Sequence, residues 1–138
     1  MIPRDVIIPA LMKDEGFRSK PYRCTAGKLT IGFGTNIEDG IDADEAMFLL
    51  EYRVDKAIAA CLKAFPWFPS LDPIRQGVVV RMVYQLGIAG VLGFRKFGAA
   101  MARGDYAAAS AEMLDSKWAK TDTPSRAMRE SITMREGR

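Results

Sequence analysis

The sequence predicts an α+β chain that is mainly α, on three observations. Strand-like alternation is confined to one short stretch, Lys20 to Arg23 and Leu29 to Thr35, with turn residues between. From Asp42 onward apolar residues recur at helical spacing. Each of those helical runs opens or closes on a cap, a proline or a glycine. At 138 residues the chain is one domain, 1–138, long enough to bury a core.

The first element is a helix over residues 3–14, in which Val6, Ile7, Ala10 and Leu11 share a face. Pro3 suits its first turn, Pro9 conflicts with its interior, and Gly16 is a stop that takes the left-handed region at little cost. Pro21 restricts the first strand to an edge or a strand start. Thr25-Ala26-Gly27-Lys28 reads as the turn, and LTIGFGT as a second strand with Leu29, Ile31 and Phe33 on one face and Thr30 on the other. Ile37 to Ile41 is a loop. Asp42 and Glu45 have capping-box spacing, so a long helix is expected to run to about Ala64, with Met47, Leu50, Val54, Ile58 and Cys61 as its apolar stripe.

Phe65-Pro66-Trp67-Phe68-Pro69 breaks that helix, with Trp67 as a packing anchor. Asp72-Pro73 starts another as cap and first-turn proline. Its residues Val78, Val79, Val80, Met82, Val83 and Leu86 make it apolar nearly all round, as a buried central helix is, and Gly87 ends it. Three shorter helices are expected: about Val91 to Arg103, Tyr106 to Asp115, and Thr123 to Glu136. No internal repeat or linker interrupts them.

Three reactive side chains lie on the hairpin stretch. Cys24 follows Glu15 by nine residues, and Thr30 follows Cys24 by six. Neighbouring strands bring Cys24 close to Thr30, and Glu15 on the preceding helix can approach the same space. A protonated carboxylic acid can donate to a leaving oxygen, while a hydroxyl and a thiol hold or activate water. Glycoside hydrolases are equipped this way, although most use two carboxylates where this chain offers one and a cysteine. The basic residues Lys20, Arg23 and Lys28 stand close to Cys24 in sequence and favour a thiolate.

The chain has no histidine, which removes Ser-His-Asp and Cys-His hydrolases and His-ligated zinc amidases. Its two cysteines, Cys24 and Cys61, give neither a metal-ligand pattern nor a disulfide framework. A net charge of +3 favours an anionic partner, with nucleic acid and bacterial wall both candidates. The N-terminal MIPRDVIIPALMKDEG is too broken by Pro3, Arg4, Asp5 and Pro9 for a signal peptide or membrane anchor. A cytoplasmic protein without stable membrane insertion is therefore expected.

Glu15, Cys24 and Thr30 followed by IGFGT resemble the phage T4-type lysozymes, the phage endolysin family of glycoside hydrolases. Two further blocks carry the resemblance in the same order: SLDPIRQGVVVRMVYQLGIAGVLGF, Ser70 to Phe94, and SKWAKTDTPSRAMR, Ser116 to Arg129. The resemblance implies a two-lobed lysozyme-like fold. Its hairpin lobe would span about residues 13–41, and its helical lobe about 65–138 plus the N-terminal helix, with the long helix linking them. The short segment between hairpin and long helix implies a minimal hairpin lobe.

The same resemblance implies a muramidase that needs no metal or cofactor. Glu15 would be its general acid, with Thr30 and Cys24 on the water side, where the family usually has Asp and some members Cys. Acid and water-side group would then be spaced for an intervening water, about 6.5–9.5 Å, which favours inversion. Tyr84, Gln85, Thr35 and Asn36 would face the sugar, Arg126 would pair with Glu15, and Trp118 would be core. The implied partner is peptidoglycan rather than nucleic acid, reached by a monomer after a holin permeabilises the membrane of the phage-infected cell. Two readings stay open beside this one: a lytic transglycosylase, which needs one Glu and no water, and an inactive wall-binding module.

Overall fold

A computed structural model describes residues 1–138, which form two compact units, 1–48 and 49–138. The first holds helix α1 (Arg4–Glu15), strands β1 (Arg18–Arg23), β2 (Leu29–Gly32) and β3 (Thr35–Asn36), and the start of helix α2 (Ala43–Ala64). The rest of α2 belongs to the second unit. With it are α3 (Pro73–Leu86), α4 (Ile88–Leu92), α5 (Arg95–Ala102), α6 (Tyr106–Leu114) and α7 (Pro124–Glu136). The chain is thus α+β and mainly α, as the hairpin and the helical spacing predict.

The three strands form one antiparallel sheet in the order β1-β2-β3. Pro21 lies on the edge strand β1, where a missing N–H costs no ladder bond. The second strand departs from the expected single run to Thr35. Gly32 and Gly34 take φ of +70° and +72°, a region open to glycine, and fold the chain back so that Thr35 and Asn36 pair with Ile31 and Thr30. Thr30 therefore sits in the middle of the sheet, opposite Tyr22 on one side and Asn36 on the other. It is 3% exposed and the one buried side chain of residues 1–48.

Helix α1 runs unbroken through Pro9, and the face predicted from spacing is exposed at Val6, Ile7 and Leu11. Helix α2 begins on the predicted capping box. The Asp42 N–H donates to Glu45 Oε1 at 3.2 Å, and the Glu45 N–H to Asp42 Oδ1 at 2.8 Å. Its apolar stripe is only partly realised. Cys61 and Ala57 are buried, while Met47, Leu50 and Ile58 are exposed. The buried part of the helix is thus its C-terminal half, within the second unit.

The second unit is built on α3. Val78, Val79, Met82 and Val83 are buried, Asp72 caps the helix by accepting from the Arg75 N–H at 3.0 Å, and Gly87 stops it at φ +79°. Around it α3 contacts α4 and α7, and α6 packs on both α5 and α7. Trp67 is the expected anchor: it stacks on Phe65 at 4.6 Å and meets Phe97 edge-on at 6.3 Å. The helix expected from Val91 to Arg103 is instead two, α4 and α5, broken at Gly93-Phe94. Phe94 takes ψ +71°, which no helix admits, and its carbonyl accepts from the Gly98 N–H at 2.9 Å to start α5. A π-helical turn over Trp118–Asp122, which spacing did not predict, precedes α7. No helix is long and apolar enough to cross a membrane.

Candidate active site

Glu15 is the last residue of α1, and Gly16 ends the helix at φ +69° while its N–H donates to the Met12 carbonyl at 3.0 Å. The exposed Glu15 side chain lies on the turn between β2 and β3. A methyl group placed on Gly34 would stand 2.6 Å from both Glu15 Cδ and Oε2, so the carboxyl rests on bare glycine backbone. Phe17, two residues after Glu15, meets Phe33, one residue before Gly34, with ring centroids 5.5 Å apart and planes tilted by 45°. Gly34 is two residues from Asn36, the partner of Thr30. That is at most about 7 Å of chain.

Cys24 closes the other end of the hairpin. Its N–H donates to the Lys28 carbonyl at 2.9 Å, and the Gly27 N–H donates to the Cys24 carbonyl at 2.8 Å. The Lys28 backbone N–H, then the Ala26 N–H, hold the thiol below its ordinary pKa of 9.0 against a smaller opposing effect of desolvation, and the Thr30 side chain lowers it further. The sequence suggested nearby cations for this effect; the cause is instead hydrogen bonding. Arg23 is committed to Glu38 at 3.2 Å and to the Gly27 carbonyl at 3.0 Å, and Lys28 faces Asp39 at 3.7 Å. The Thr30 hydroxyl also donates to the Lys28 carbonyl at 2.8 Å. It has one proton, so it serves either that carbonyl or the sulfur.

Cys24 and Thr30 therefore meet as predicted, and Glu15 belongs to the same unit. Thr35 is exposed opposite Ile31. The Asn36 side chain is engaged in its own loop, donating to Asp39 Oδ2 at 2.9 Å and accepting from the Glu38 N–H at 2.9 Å. Two residues that spacing did not single out hold this arrangement. Glu38 binds both Arg23 and the Leu29 N–H, clamping the hairpin shut. Gly34, read from sequence as an ordinary strand residue, seats the acid; the Gly-Phe-Gly spacing was its only signal.

In the second unit, Gln85 is a junction. Its Oε1 accepts from Trp118 Nε1 and from Arg126 Nη1, both at 3.0 Å, and its Nε2 donates to Thr123 Oγ1 at 2.9 Å. The second amide proton has no protein partner. Tyr84 is 47% exposed and borders two cavities of about 300 Å³. One is lined by Arg53, Lys56, Ala60, Val83 and Ile88, the other by Arg81, Arg126, Arg129 and Glu130. No three His, Cys, Asp or Glu side chains gather as a metal site.

Residues 12–135 match the phage lysozyme family. Two proteins of Dictyostelium discoideum are similar along most of their length. Probable T4-type lysozyme 2 is 27% identical over 149 aligned positions, covering 86% of this chain and 87% of its own. Probable T4-type lysozyme 1 is 26% identical over the same span and the same shares. A match over all but the ends of the chain settles its kinship: the chain belongs to the phage lysozyme family, and is a lysozyme-type hydrolase.

Proposed function

We propose that the enzyme hydrolyses the β-1,4 bond between N-acetylmuramic acid and N-acetylglucosamine in peptidoglycan. Glu15 gives its proton to the bridging oxygen as the bond from that oxygen to the anomeric carbon breaks. A water held by Thr30 attacks the carbon from the other side, and its proton passes to the Cys24 thiolate. Proton exchange with solvent then restores both groups. Cys24 thus does the work of the second carboxylate, with inversion as the outcome. Thr35 and Asn36 of the first unit, and Tyr84, Gln85 and Arg126 of the second, are the proposed saccharide contacts. The protein acts as a monomer on the wall, from the cytoplasm of the producing bacterium, once a holin has opened the membrane.

One observation carries this reading. The hairpin brings Cys24, whose N–H bonds the Lys28 carbonyl, beside Thr30 in the centre of the sheet, and Glu15 is seated on Gly34 of the following turn. The backbone donors that lower the thiol's pKa favour the base role proposed for it. The test is turbidity loss of permeabilised Gram-negative cells. Glu15→Gln is expected to abolish clearing, Cys24→Asp to keep it, and Cys24→Ser to lose most of it. Equal clearing by wild type and Glu15→Gln would leave a wall-binding module. Mass spectrometry of the digest separates the remaining rival, since anhydro-muramyl ends would mean a lytic transglycosylase and reducing ends a hydrolase.

A further inference from the structure

We infer that Gly34 and the Phe17–Phe33 pair form a clasp that aims the Glu15 carboxyl, acting as positioning residues for the acid; the inference rests on Glu15 being the proton donor. Within residues 1–48 no hydrogen bond or ion pair orients that carboxyl, so its direction is set by shape. Gly34 provides the seat: a Cβ there would stand 2.6 Å from Cδ and Oε2 and 2.9 Å from Cγ, so the end of the Glu15 side chain would have to move aside. The two rings provide the hold. Phe17 is 67% exposed and Phe33 43%, yet their centroids stand 5.5 Å apart. Such a pair adds little to a core; it joins the chain leaving α1 to the turn leaving β2, the two segments whose separation decides where Glu15 points.

Gly32 supplies a control within the same turn. Its φ of +70° nearly equals the +72° of Gly34, but a Cβ on it meets nothing within 4 Å. Gly32→Ala and Gly34→Ala therefore both place a side chain at positive φ, and only the second displaces the carboxyl. The measurement is reducing-end release from soluble, uncrosslinked peptidoglycan, with kcat and KM separated. Gly34→Ala is expected to lose at least about tenfold more kcat than Gly32→Ala, with KM held within about twofold, because misplacing a reacting group by an ångström acts on the chemical step.

Phe17→Ala and Phe33→Ala are expected to lose kcat in the same way, and Phe17→Tyr and Phe33→Leu, which keep the contact, to recover it. Equal kcat for the two glycine variants, or losses that fall on KM, would overturn the clasp. Should Gly34→Ala fail to melt cooperatively, the ring variants decide, since both rings are exposed and their removal leaves the fold in place. Full activity in Glu15→Gln would instead remove the proton donor itself, a failure distinct from that of the clasp.

Discussion

Cys24 and Cys61 are the same residue type pushed in opposite directions by their surroundings. Cys24 sits among backbone donors, and its thiol falls below 9.0; Cys61 is wholly buried on α2, and desolvation raises it to about 11. Alkylation by iodoacetamide, mapped by peptide mass spectrometry across pH 6 to 10, is expected to modify Cys24 with a midpoint below that of a free thiol and to spare Cys61 in the folded chain. Equal rates at both would contradict the donor shell. Cys61 also makes a stability prediction. An acid whose pKa is raised by folding stabilises the fold below its unfolded pKa and loses that contribution as pH climbs to the folded value. The unfolding free energy from urea melts should thus fall between pH 9 and 11 more steeply than in Cys61→Val, by at most roughly 2–3 kcal/mol. Sequence spacing made the Cys24–Thr30 meeting legible and put Cys61 in the core. It could not show that Thr30 is buried, because alternation assigns a face and not which face is covered. Nor could it show that Gly34 seats Glu15, which depends on contact between segments nearly twenty residues apart.

Helix ends were the best-read elements, because a cap is a local bargain between a side chain and the first backbone N–H groups. Asp42 with Glu45 and Asp72 with Pro73 stand where the sequence put them, and Asp105 caps α6 in the same way, its carboxylate accepting from the Ala108 N–H at 3.0 Å. Asp42→Ala is expected to cost about 1 kcal/mol in urea melts, since α2 then starts with unpaired donors. The misread elements fail for non-local reasons. The split between α4 and α5 turns on the backbone at Phe94, and the π turn over Trp118–Asp122 is stabilised by a partner more than thirty residues away. That partner is Gln85. Its carbonyl oxygen receives the buried Trp118 N–H and its amide holds Thr123, so it pins the approach to α7. Gln85→Met keeps the side-chain length but orphans the indole N–H. A loss of about 1–3 kcal/mol is expected, together with a red-shifted or broadened Trp118 emission. A variant as stable as wild type would show that water replaces the amide.

At the scale of the molecule, the buried core and the proposed catalytic groups lie in different units. Residues 49–138 contain the buried apolar residues, from Ala57 to Met134; residues 1–48 bury only Thr30, yet carry Glu15 and Cys24. A sheet of three short strands with one covered side chain opens locally at little cost, whereas α3 opens only when its whole surround does. Amide hydrogen exchange should therefore rank the β1–β2 ladder well below α3 and α7 in protection. Met82 tests whether that ranking reflects two separate openings. It is 1% exposed at the centre of α3, and Met82→Ala leaves a cavity worth about 2–5 kcal/mol. Protection in α3 and α7 should drop by that full amount, because their amides exchange through global unfolding. The hairpin amides should keep their rates, because their opening never reaches Met82. A parallel drop in the hairpin would mean that the sheet opens only with the helical core, and that the clamp of Glu38 on Arg23 and Leu29 does not by itself set the rigidity of residues 1–48.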